Sequence, residues 1–61
     1  MTVAEFVKYL KKQGIQFQSH GNKHDVYVNP KNGNVAQIPR HQSKPIATGT
    51  KNRILTDLGI K

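Results

Sequence analysis

Apolar side chains recur three and four positions apart at Val3, Phe6, Val7 and Leu10, and past Gly14 the spacing falls to two, at Ile15 and Phe17. The first pattern lines one face of an α-helix and the second lines one face of a β-strand. The chain therefore opens as a helix that turns at a glycine into a strand, and each element needs the other to cover its apolar side. The spacing predicts the helix over Thr2 to Gln13. Thr2 with Glu5 three residues on is a capping-box pattern, Met1 and Phe6 take the staple positions, and Gly14 suits the left-handed residue beyond the last turn. Lys8, Lys11 and Lys12 fall on the opposite, solvated face, the last two near the end where the helix dipole favours cations.

The first strand, from Ile15, ends near Ser19 or His20, because Gly21-Asn22 breaks the alternation. Asp25 to Val28 is β-branched and aromatic and reads as a second strand. It stops at Asn29-Pro30-Lys31-Asn32-Gly33, and Val35 to Ile38 forms a third, so strands two and three make a hairpin. Pro39 has no N–H to donate and ends the ladder. Arg40 to Gly49 is polar, contains Pro45, and reads as a connecting loop with one short turn around Ile46. A second helix follows, with Thr48 or Thr50 as cap, Ile54, Leu55 and Leu58 as its apolar stripe and Gly59 at its end. The expected fold is α+β in the order α-β-β-β-α, three antiparallel strands with one face covered by two helices, as a single domain over residues 1–61.

A chain of 61 residues buries roughly 60% of its unfolded surface, so the core is thin. With no cysteine there is neither a disulfide framework nor a Cys-rich zinc site, and a reducing, cytoplasmic setting fits. No apolar run approaches the roughly 20 residues that span a bilayer, and the N-terminus lacks a signal-peptide pattern, so a soluble, unprocessed protein with no membrane partner is expected. Ten Lys and Arg against three acids give a formal net charge of +7. That charge points to an acidic partner, and nucleic acid ranks first because phosphate contacts with Lys and Arg release counterions.

His20, His24 and His41 are the candidates for proton transfer. A metal needs three or four converging ligands, and His20 and His24 would share a side only on a helix, which Gly21-Asn22 argues against, so neither metal nor small-molecule cofactor is expected. No activated serine or paired carboxylates can be written. Imidazole can take and give a proton near neutral pH, and RNA supplies its own nucleophile in the 2′-hydroxyl. On the residues alone His24 has two readings: an acid-base group on a rigid strand beside a turn whose backbone can approach phosphate, or a polar residue ending a Gly-Asn turn. Arg40-His41 likewise either grips phosphate or opens a solvated loop, and His20 reads as structural or incidental.

The order Gly21…Lys23-His24-Asp25-Val26-Tyr27…Asn29-Pro30…Gly33…Ile38-Pro39-Arg40-His41…Gly49-Thr50…Ile54-Leu55…Leu58-Gly59-Ile60 resembles the HicA family of toxin-antitoxin mRNA interferases, over nearly the whole chain. The resemblance implies a fold like that of double-stranded RNA-binding domains and RNA cleavage by one histidine at the start of the second strand, here His24. Many members carry Gly-Ser before a histidine pair. Gly21-Asn22-Lys23-His24 differs from them, with Lys23 in place of the first histidine. The resemblance also implies mRNA as substrate and a HicB-type antitoxin as partner, with an acidic interface. On this reading Lys11, Lys12, Gly21, Asn22, Lys23, Arg40 and His41 meet the RNA, and the alternative is a non-catalytic RNA-binding module of the same shape.

Overall fold

A computed structural model describes Met1–Lys61 and contains α1 (Val3–Lys12), β1 (Gln16–His20), β2 (His24–Val28), β3 (Val35–Pro39) and α2 (Thr48–Asp57). The strands form one antiparallel sheet in the order β1-β2-β3. The α+β order expected from the apolar spacing is the one observed.

Helix α1 is capped at every N-terminal donor. Thr2 Oγ1 accepts from the Glu5 N–H at 3.2 Å and Glu5 Oε1 accepts from the Thr2 N–H at 2.8 Å, which completes the capping box. The Val3 and Ala4 N–H groups donate to the carbonyls of Lys44 and Gln42 at 2.9 and 3.0 Å. The polar loop after β3 is thus strapped across the start of α1. The two helices end alike. Ile15 and Gly14 donate back to the carbonyls of Leu10 and Lys11, and Ile60 and Gly59 do the same to Leu55 and Thr56, with Gly14 and Gly59 at φ +89° and +73°. Both are Schellman turns, and the apolar residue after each glycine lies against the core.

The core is Val3, Phe6, Val7, Leu10, Ile15, Tyr27, Ala36, Ile38, Ile54 and Leu58. Tyr27 pairs with Ala36 across β2 and β3, so these residues mark one covered face of the sheet, while His24, Val26, Gln37 and Pro39 belong to the other. At the far tip of the hairpin Asn29 is buried, and its Nδ2 and that of Asn32 donate to the Leu58 carbonyl at 2.8 and 3.1 Å.

Two local expectations are corrected. Strand β1 buries none of its residues, and Phe17 is 45% exposed. β1 is an edge strand with a bulge between Phe17 and Ser19, so Phe17 caps the ring of Tyr27 edge-on at the rim of the core. Neither Thr48 nor Thr50 caps α2, because the N-cap is Ala47, which makes no side-chain cap hydrogen bond. The Ile46 N–H is tied to the Met1 carbonyl at 3.0 Å, and the helix starts directly from that tether. Ala47→Asp supplies the missing acceptor and a favourable charge for the helix dipole. It should stabilise the fold by about 1 kcal/mol and raise Tm by about 4–8 °C in a thermal melt.

Candidate active site

The turn between β1 and β2 is only Gly21-Asn22-Lys23, and its closure depends on the glycine. The Gly21 N–H donates to the His24 carbonyl at 2.7 Å, and a Cβ on Gly21 would sit 2.5 Å from that oxygen. No larger residue fits this approach. His24 follows as the first residue of the central strand. Its side chain is exposed, on the face the helices leave open.

A cavity of about 240 Å³ lies there, lined by Gly21, Asn22, Lys23, His24 and Gln37, with no apolar side chain among them. Gln37 comes from β3. Because Val26 pairs with Gln37 and His24 with Pro39, Gln37 is the diagonal neighbour of His24, within reach of a long side chain. Gln37 is not among the residues the sequence singles out, although alternation along β3 sets it on the face opposite Ala36 and Ile38.

Behind the turn, on the covered face, the ends of all three strands meet at one carboxylate. Asp25 Oδ1 accepts from His20 Nδ1 at 2.8 Å and from Arg40 Nε at 2.8 Å, and a further Arg40 nitrogen donates to the Gly21 carbonyl. An ionised carboxylate only accepts, so Nδ1 of His20 carries the hydrogen. The hydrogen bond from His20 holds the Asp25 carboxyl below its ordinary range against the opposing effect of burial, and Arg40 adds to the lowering. These bonds end on His20, Asp25, Arg40 and the Gly21 peptide, and none engages the imidazole of His24.

The remaining sequence candidates are dispersed. His41 is exposed in the turn after β3 and lines a separate depression with Val3, Pro39 and Pro45. Lys11 and Lys12 are exposed at the end of α1 that leads to Gln16, which pairs with Val28. That is the opposite end of β2 from His24, roughly 13 Å of strand away. Tyr27 is buried on the covered face and does not line this pocket, and burial followed by the Asp25 charge raises its hydroxyl pKa. No three of the His, Asp and Glu side chains gather as a metal-ligand set, and no helix is long and apolar enough to cross a membrane.

The model of the family described as the HicA toxin of bacterial toxin-antitoxin systems matches residues 3–60. The chain belongs to the HicA toxin family. A relative in Photorhabdus laumondii, named Probable mRNA interferase HicA 2, is 38% identical over 61 residues, covering all of both chains. Another in Pseudomonas fluorescens, named Probable mRNA interferase HicA, is 33% identical over 61 residues, covering all of this chain and 98% of that one. No solved structure matches.

In this HicA chain two carboxyls are depressed by the fold, Asp25 as described and Glu5 by its hydrogen bonds to the Thr2 backbone and side chain. A depressed carboxyl binds fewer protons folded than unfolded, so its stabilisation is complete above the unfolded pKa, about 4, and is lost as pH falls through the lower folded value. The urea midpoint should therefore hold above about pH 5 and decline below about pH 4. In Asp25→Asn that acid-side decline should be shallower.

Proposed function

We propose that the chain is the toxin of a toxin-antitoxin pair, an mRNA interferase in which His24 performs acid-base catalysis without a metal. The observation that carries this reading is the exposed imidazole of His24 in an all-polar pocket beside Lys23, in a chain of net charge +7. Family membership and the names of both relatives support it.

In this mechanism a neutral His24 nitrogen takes the proton of a ribose 2′-hydroxyl. The oxygen attacks the adjacent phosphorus, the bond from phosphorus to the 5′-oxygen breaks, and that oxygen receives a proton. The products end in a 2′,3′-cyclic phosphate and a 5′-hydroxyl. Negative charge grows on the phosphate oxygens as the new bond forms, and Lys23, which lines the pocket, supplies an ammonium to meet it. The Gly21 N–H is engaged by the His24 carbonyl, so backbone donation to the phosphate falls to Asn22 and Lys23. Lys11 and Lys12 serve an RNA strand that runs along the molecule, and His41 contacts its flank. A HicB-type antitoxin with an acidic surface neutralises these cations and stabilises the thin fold by binding only its native state.

The purified chain should cleave labelled RNA in EDTA. His24→Ala should lower that cleavage by at least about 10²-fold, the lower end of what one acid-base group supplies, while RNA affinity stays near wild type because Lys23 and the other cations remain. Wild-type cleavage by His24→Ala rules out the catalytic assignment. Salt-sensitive RNA binding with no cleavage by the native chain favours the non-catalytic module.

A further inference from the structure

We propose that Asp25 and Arg40 are positioning residues that hold the Gly21–Lys23 turn so that His24 faces the RNA backbone, and that Arg40 acts inside the protein and not as a phosphate ligand. The inference rests on His24 being the acid-base group. Successive side chains of a strand project to opposite faces. His24 therefore points to the open pocket while Asp25, its neighbour, points to the covered side, where its partners across the sheet are His20 and Ile38. A force applied to Asp25 orients the strand start without occupying the pocket.

Arg40 applies it. It follows Pro39, the residue paired with His24, and its guanidinium reaches both the Asp25 carboxylate and the Gly21 carbonyl. Gly21 is consequently held on both sides, its carbonyl oxygen by Arg40 and its N–H by the His24 carbonyl. Asn22 and Lys23 are then the only residues between two anchored points. Without the clip, a three-residue turn that begins with glycine has many backbone conformations open to it. The Asp25 side chain is 14% exposed and Arg40 40%, so the carboxylate end of the pair is partly withdrawn from water. Two separate acceptors require the rigid fork of arginine, and a lysine ammonium is a poor substitute despite equal charge.

The test measures single-turnover cleavage together with binding to an all-2′-O-methyl RNA of the same sequence, which lacks the nucleophile. Asp25→Asn and Arg40→Lys should each slow cleavage by about 10-fold or more, since small misplacements of a reacting group cost up to about 10²-fold. The double variant should be no slower than the slower single one. Affinity for the 2′-O-methyl RNA and its salt slope should stay at the native values in both, a split between rate and binding that partial unfolding does not produce. If Asp25→Asn loses its fold, Arg40→Lys keeps the stem and charge and carries the test. Native rates in Arg40→Lys, or weaker binding in Arg40→Ala with a salt slope smaller by about 0.7, assign Arg40 to phosphate and overturn the proposal. Loss of cleavage in His24→Ala beside native rates in the Asp25 and Arg40 variants overturns the positioning role alone. Native cleavage in His24→Ala overturns the acid-base reading and this role with it.

Discussion

Ten apolar side chains, all on one side of a three-stranded sheet, hold this chain together. So thin and one-sided a core leaves little margin, since small domains bury a modest share of their surface. Polar fixings at the edges of the core carry correspondingly more of the structure. The strap of Gln42 and Lys44 carbonyls satisfies the first donors of α1, and Asn29 and Asn32 satisfy the Leu58 carbonyl at the end of α2. The Leu55 to Ile60 turn repeats that of Leu10 to Ile15, so one local device closes both helices and adds an apolar contact each time. Gly59 belongs to both fixings, because a Cβ there would lie 2.6 Å from Asn32 Nδ2.

The same one-sidedness divides the sheet by task. Residues facing the helices carry stability, and His24 and Gln37, exposed on the face away from them, are free of packing duty. Charge is divided in a related way. Of the three acids, Glu5 is engaged in the capping box and Asp25 at the junction of the strand ends. Three carboxylates stand against ten Lys and Arg, so the positive field around the molecule is scarcely neutralised from within. Such a field raises the encounter rate with a polyanion and disfavours self-association.

How much of this the sequence disclosed follows from how local each feature is. The helix of Val3, Phe6, Val7 and Leu10, its capping box and the glycine stops are written within a few residues, and so is the Asn29 to Gly33 turn. The α2 cap is not legible because two threonines fit the pattern, while the tether from Ile46 to Met1, which sets the helix start, spans the whole length of the chain before it. Phe17 was hidden for a similar reason: alternation says which face a side chain takes, and not whether a helix covers that part of the sheet. At the candidate site, His24 and its turn form a cluster of residue types visible in the sequence. The clip of Asp25 and Arg40 is not visible there, for the two lie 15 positions apart and each alone reads as a surface charge.

The pocket limits the chemistry that the proposed cleavage can use. Two protons move in that reaction, and the geometry offers one imidazole for them. Tyr27 is buried on the other side of β2, His20 is bound to Asp25 there, and His41 lines a different depression. The leaving oxygen must therefore draw its proton from the imidazolium formed in the first transfer, from the Lys23 ammonium or from water. A single acid-base group contributes about 10² to 10⁴ in rate, and the remainder has to come from cations near the phosphate and from a ring held in the right attitude. If His24 is the acid-base group as proposed, a well-fixed turn matters more than in a site with a second general acid, because no other side chain of the pocket can stand in for a misplaced imidazole.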